Sequence, residues 1–221
     1  MTGESNDNAA AQRLARIHDR VDRAARDAGR KGEDIVLIAI SKTQGADDIA
    51  PLIHAGQKIF GENRVQEAHE KWPVLRDAYP DIMLHLVGQL QSNKAEEAVA
   101  LFDFIHSLDR PSLLTALARA MDKAGRRPLC FIQVNIGDEP QKGGCAIADL
   151  SALIAGARDT GIPLAGLMCV PPANVEAAPY FALLAKIARD HGLAGLSMGM
   201  SGDCESAVML GATHIRIGTA L

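Results

Sequence analysis

Eight short apolar segments, rich in β-branched residues, recur along this 221-residue chain, and each but the last is followed by helix-compatible sequence. They lie near Ile35–Ile40, Gln57–Phe60, Ile82–Val87, Phe104–Ser107, Leu129–Asn135, Pro163–Cys169, Ala194–Ser197 and Thr213–Ile217. Several are apolar at successive positions rather than alternating, the pattern of parallel strands covered on both faces. Strand and helix in regular alternation mean an α/β architecture with a parallel sheet. Repeats of roughly 20–33 residues, eight in number, favour a closed (β/α)8 barrel over an open doubly wound sheet. Neither G-x-G-x-x-G nor G-K-[ST] occurs to support the open sheet. No linker or low-complexity stretch divides the chain, so residues 1–221 are expected to form one barrel domain.

The connecting segments carry helix signals. From about Ala9 to Gly29, Leu14, Ile17, Val21, Ala24, Ala25 and Ala28 fall on one helical face, with Arg and Asp on the other. This helix precedes the first strand and is therefore extra to the barrel; residues 1–8 ahead of it are expected to be flexible. Asn63 with Gln66, and Asn93 with Glu96, have capping-box spacing. Pro111 suits the first turn of a helix burying Leu113, Leu114, Leu117 and Met121, and Gly211 suits the end of the last helix. The sequence stops just after the eighth strand, so the closing helix is expected to be short, missing, or replaced by the N-terminal one.

Composition narrows the class further. Lys and Arg total 23 against 27 Asp and Glu, a net charge of −4 that argues against a general nucleic-acid binder. The apolar share of 48% fills a sizeable core with only 4% aromatics, so Ala, Leu, Ile and Val do the packing. No apolar run approaches a bilayer span, and residues 1–11 lack the apolar stretch of a signal peptide. The four cysteines, Cys130, Cys145, Cys169 and Cys204, form no C-x-x-C pair, which points to reduced thiols and a cytoplasmic location rather than a disulfide or zinc scaffold.

In a parallel barrel, chemistry gathers at the C-terminal ends of the strands. The first strand runs into Ser41-Lys42-Thr43. A lysine there becomes a nucleophilic amine when partly desolvated, able to form a Schiff base; the alternative is a solvated strand-end lysine. After the seventh strand come Met198, Gly199, Met200, Ser201 and Gly202, and after the eighth Gly218 and Thr219. These are the two loops where such barrels commonly bind phosphate through backbone N–H groups, although Ser201 also suits a helix N-cap. Alternation puts His214 and Arg216 on one strand face and Ile215 and Ile217 on the other, so Arg216 points into the barrel near its mouth and needs a partner. A ring nitrogen, a carboxylate or a phosphate would serve, as would an ion pair with an acidic loop residue. Asn63, after the second strand, is a ligand contact or a cap. His85 reads as a core histidine, His106 and His191 have no metal-ligand spacing, and residues 137–144 read as a solvated loop or a rim.

An amine, a phosphate cradle and an inward arginine in one barrel describe a pyridoxal 5′-phosphate site. Ser41-Lys42-Thr43, Phe60-Gly61-Glu62-Asn63, Gly88-Gln89-Leu90-Gln91-Ser92-Asn93-Lys94, His106-Ser107-Leu108-Asp109-Arg110, Gln133-Val134-Asn135, Gly166-Leu167-Met168, Leu196-Ser197-Met198-Gly199-Met200-Ser201 and Arg216-Ile217-Gly218-Thr219-Ala220 together resemble, in order, the motifs of the pyridoxal phosphate homeostasis protein family. The resemblance implies a TIM barrel of the alanine racemase N-terminal domain type. It also implies that Lys42 holds the cofactor as an internal aldimine, that Ser201, Gly218 and Thr219 hold its phosphate, and that Arg216 faces the pyridine nitrogen. Asn63, His85 and Met200 would lie around the ring. Leu84 and Leu86 stand where the family often carries tryptophan and phenylalanine beside that histidine.

Two classes of function follow. The resemblance implies a non-catalytic carrier that buffers the cofactor within vitamin B6 homeostasis, with PLP-dependent apoenzymes as the expected partners and neither nucleic acid nor membrane; a monomer is expected because the dimer-forming second domain of the related racemases is absent. The other class is an amino-acid racemase, which needs two bases where only Lys42 stands out, since Tyr79 and Tyr180 lie at no strand exit. A Schiff-base aldolase acting on a sugar phosphate would need the same lysine and phosphate cradle.

Overall fold

The computed structural model describes the backbone of residues 2–221 and the side chains of residues 6–221. The eight expected strands form: β1 Val36–Ile40, β2 Ile59–Glu62, β3 Met83–Leu86, β4 Phe104–Leu108, β5 Leu129–Gln133, β6 Leu164–Met168, β7 Gly195–Met200 and β8 His214–Ile217. All neighbours pair in parallel and in sequence order, and β8 pairs back onto β1 from Val36↔His214 to Ala39↔Ile217, closing the barrel. Between consecutive strands lie α2 Ala46–His54, α3 Val65–Ala78, α4 Ala95–Leu101, α5 Pro111–Ala124, α6 Leu150–Asp159, α7 Ala178–Asp190 and α8 Cys204–Met209.

The N-terminal helix α1, Thr2–Asp27, takes the place that a helix after β8 would fill, packing between α8 and α2. Its stripe of Leu14, Ile17, Val21, Ala24 and Ala25 is buried. Arg20 grips Glu205 of α8 through Nε (2.6 Å) and Nη2 (2.8 Å), Arg30 donates to the Val208 carbonyl (2.9 Å), and Arg13 donates to the Leu221 carbonyl. Helix α1 also starts seven residues before the expected Ala9; of the stretch expected to be flexible, Met1 lies outside the described residues.

Both capping boxes fail. Helix α3 is preceded by Arg64 and α4 by Lys94 after a 3-10 turn at Ser92–Lys94, and neither has a side-chain cap. Strand β2 extends through Glu62, so the turn into α3 is shorter than the sequence suggested and Asn63 falls outside the cap position. The loop of residues 137–144 is a turn held by its own bonds: Asn135 Oδ1 accepts from the Glu139 N–H (3.1 Å), and Lys142 pairs with Glu139 (2.6 Å).

Two cores result from strand alternation. Outward residues such as Leu37, Ala39, Ile215 and Ile217 pack against the helices. Inside the barrel, Ile38 keeps a branched apolar filling at one point while rings take up much of the rest. His85 stacks on Phe104 with centroids 4.2 Å apart, His106 on Phe131 at 4.5 Å, and His214 meets Phe131 edge-on at 4.9 Å. All four cysteines are buried and free. No helix among the described residues is long and apolar enough to cross a membrane.

Candidate functional site

At the C-terminal mouth of the barrel lies a cleft of about 420 Å³, within the range of small-molecule sites. Ile40 and Lys42 reach it from the end of β1, Asn63 from β2, Val87 from β3 and Val170 from β6. Met200, Ser201 and Gly202 come from the β7–α8 turn, and Arg216, Gly218 and Thr219 from β8 and the turn after it. The structure thus brings together seven of the eight residues expected around a cofactor: Lys42, Asn63, Met200, Ser201, Arg216, Gly218 and Thr219.

His85 is not among them. It shares the inward face of its strand with Val87, and Val87 is the residue at the cleft. Two residues of strand therefore separate His85 from the mouth, about 7 Å of depth, and it is 1% exposed within the ring cluster. Gly202, from the expected phosphate loop, lines the cleft too, and Ile40, Val87 and Val170 line it without having been expected; each of these three ends or directly follows an expected strand.

The β7–α8 turn is built for close backbone approach. Gly199 sits at φ +95°, and a Cβ there would stand 2.5 Å from the Ala207 Cβ, so only glycine lets α8 pack this near. Asp203, not Ser201, is the residue before α8, and its Oδ1 accepts from the Met200 N–H at 2.6 Å. Ser201 is freed from capping and instead accepts from the Gly218 N–H at 3.3 Å, tying the two turns together. Among the described residues, the N–H groups of Ser201, Gly202 and Thr219 are not taken up by backbone carbonyls. Unpaired donors on two converging turns suit an oxyanion.

Arg216 is 5% exposed and has no carboxylate within ion-pair distance among the described residues, which removes the ion-pair alternative. Its Nη1 donates to Ser197 Oγ (2.7 Å) and its Nη2 to the Cys169 carbonyl (2.9 Å). Burial pulls its pKa down from the usual guanidinium value, partly offset by the neighbouring Cys169 and Asp203; an arginine in that setting still stays charged. A buried cation held by neutral groups alone is costly without a further partner.

The bonds behind Arg216 form a one-way chain. Ser197 Oγ accepts from Arg216, and the one acceptor left for its own proton is His106 Nδ1 at 2.8 Å, which assigns that proton and the tautomers behind it. His106 Nδ1 is then bare, so its Nε2–H donates to His85 Nδ1 at 2.9 Å. That leaves the proton of His85 on Nε2, a buried atom with no partner. Burial first, then neighbouring positive groups, holds both histidines well below the ordinary imidazole range, and both are neutral. Burial likewise brings His214 down to about 4, with Arg216 adding to the effect.

Lys42 lines the cleft but is exposed, so the chain alone does not supply the desolvation expected for its amine. Tyr79 ends α3 and bonds His54 Nε2 (3.0 Å), Tyr180 opens α7, and neither lines the cleft. No group of three or more metal-ligating side chains occurs among the described residues. An amine, a set of free backbone N–H donors and a buried cation converge on one hollow; the donor set fits a phosphorylated heteroaromatic aldehyde.

Comparison with known proteins agrees. The profile of the alanine racemase N-terminal domain matches residues 13–221. The chain is 37% identical over 225 aligned positions to the pyridoxal phosphate homeostasis protein of Escherichia coli, covering 97% of this chain and 96% of that protein. Its counterpart in Pseudomonas aeruginosa is 38% identical, covering 96% and 94%. The structure of PipY from Synechococcus elongatus with PLP bound superposes with a TM-score of 0.84 at 38% identity, covering 96% of this chain and 99% of that one.

Proposed function

Because the chain belongs to the alanine racemase N-terminal domain family, and within it to the pyridoxal phosphate homeostasis proteins, we propose that it binds pyridoxal 5′-phosphate without catalysing a reaction and so serves intracellular homeostasis of this vitamin B6 form. The observation that carries the reading is the buried Arg216 without a carboxylate, facing the same cleft as Lys42 and the free N–H donors of the two last turns.

The cofactor supplies an aldehyde, which a lysine amine captures reversibly as a Schiff base with loss of water. Lys42 is the amine for that capture, and its carrying the cofactor is part of this proposal. Ser201, Gly202 and Thr219 hold the phosphate by N–H and hydroxyl groups, and Gly218, whose N–H is bonded to Ser201 Oγ at 3.3 Å, lets the backbone approach it and ties the two turns together. Arg216, permanently cationic, donates to the ring nitrogen and leaves it unprotonated, which makes the bound ring a poor electron sink. Asn63 and Met200 flank the ring, while His85 acts at one remove, through His106 and Ser197. Abstracting a proton from one face of an amino acid and returning it to the other takes two bases. Among the described lining residues, Lys42 and the permanently charged Arg216 are the only ionisable side chains, so a single candidate base faces the cleft, which favours storage over racemisation.

Titration with pyridoxal 5′-phosphate, followed by borohydride reduction and peptide mass mapping, tests this. The expected result is a visible band that reduction abolishes, an adduct on Lys42, and neither in Lys42→Ala. A protein that stays colourless with added cofactor overturns the reading. Alanine racemisation above the rate of free cofactor, lost in Lys42→Ala, would overturn its non-catalytic part. The proposal includes a cytoplasmic monomer that passes cofactor to apoenzymes, to be checked by light scattering and by activation of a purified apoenzyme.

A further inference from the structure

Lys42 sits on a turn that its own residues do not favour. Thr43, the next residue, has φ +63°, a left-handed conformation that is costly for a β-branched side chain. Lys42 itself makes no side-chain hydrogen bond among the described residues. Something else must hold the turn in place.

The grip comes from the end of β2 and one face of α3. Lys71 Nζ, on a side chain only 10% exposed, donates to the Ser41 carbonyl (2.7 Å) and the Gln44 carbonyl (3.1 Å). It also pairs with Glu62 at 2.8 Å and Glu67 at 3.2 Å. Glu67 accepts the Thr43 N–H. Glu62, fully buried, accepts from Ser41 Oγ (2.6 Å) and Trp72 Nε1 (2.9 Å). The backbone is therefore pinned on both sides of Lys42 while the Lys42 side chain stays free. With three N–H donors shared among these oxygens, Lys71 has no lone pair to offer an aldehyde and is itself unsuited to capture.

We propose that Lys71, Glu62 and Glu67 are positioning residues that hold the Ser41–Gln44 turn in its strained form and so present the Lys42 amine to the cleft. This rests on Lys42 as the aldehyde acceptor. A buried ion pair need not stabilise the fold, and every bond of this one ends on the turn or on the helix behind it.

The test uses the full chain as a Glu62→Gln/Lys71→Met double variant, which avoids stranding a buried carboxylate, with Glu67→Ala as a milder variant should the double one not fold. Circular dichroism checks the fold. Without cofactor, amide exchange at Thr43 is expected to speed up about tenfold, the population change that left-handed strain at a non-glycine residue implies. With pyridoxal 5′-phosphate, the borohydride-trapped adduct on Lys42 is expected to form more slowly by a similar factor and to spread to other lysines. Lys71→Arg, which keeps charge and donors, is expected to restore most of the rate. Folded variants with unchanged Thr43 exchange and unchanged Lys42 trapping overturn the proposal. A wild-type chain without a Lys42 adduct overturns the cofactor reading instead, and the exchange measurement still decides the grip.

Discussion

Replacing Ser197 by alanine removes one oxygen from the barrel interior and orphans two partners at once. The hydroxyl is fully buried, accepts from Arg216 Nη1 at 2.7 Å and donates to His106 Nδ1 at 2.8 Å. Each buried polar group left unpaired costs about 1–3 kcal/mol, with the charged guanidinium at the upper end. The space of one oxygen is too small to admit a bridging water. A loss of about 2–6 kcal/mol follows from adding the two, against a total stability on the order of 5–15 kcal/mol. Urea unfolding followed by circular dichroism should show a lower midpoint with an unchanged slope. Affinity for pyridoxal 5′-phosphate should fall with it, because Arg216 loses one of its two fixed contacts. Ser197→Cys, which keeps a weak donor and acceptor, should lie between alanine and wild type. A loss below about 1 kcal/mol, typical of a surface substitution, would show that the guanidinium is not held through Ser197.

Three further outcomes follow from the same interior. His214, His85 and His106 have pKa values lowered chiefly by burial, His214 to about 4; the unfolded chain, with imidazoles near 6.5, binds the extra protons. Their contribution is thus complete above about pH 6.5 and declines as pH falls, by about 3 kcal/mol for His214 between there and its folded value. Urea midpoints that stay flat from pH 7 to pH 5 would contradict this. Burial pushes the thiols of Cys130, Cys145, Cys169 and Cys204 up to about 12, so a thiol reagent at pH 8 should label the native protein negligibly and all four cysteines in denaturant. Rapid labelling of the native protein would refute it. A Cβ at Gly88 would stand 2.1 Å from the Asn63 carbonyl oxygen, so Gly88→Ala should displace Asn63 and weaken cofactor binding by about tenfold or more, as small misplacements in a site do. Unchanged affinity in a titration would show that Asn63 has no part in holding the cofactor.

The eight strands were readable because parallel strands under helices are apolar on both faces and stand out as runs. Parity was readable for the same reason: His214 and Arg216 do face inward, with Ile215 and Ile217 against the helices. Depth was not. Whether an inward side chain reaches the mouth or stops a layer below depends on how far neighbouring strands are staggered around the barrel, a property of closure that one strand's sequence does not encode. His85 shows the consequence, since Gly61 stands level with it in β2 while Val87, two residues on, lines the cleft. Lys71 was missed differently: its acceptors lie on the Ser41–Gln44 turn, about 30 residues earlier in the chain, and nothing local marks a helix lysine as buried. Glu62 lies two residues past the expected end of the second strand, and only once β2 is seen to run through it does it become a buried carboxylate that a cation must meet. That cation comes from α3, so the buried acid in β2 and the exposed amine after β1 belong to one arrangement: the charges of Glu62 and Lys71 are spent on each other and on the turn, while the Lys42 amine, unpaired among the described residues, faces the cleft.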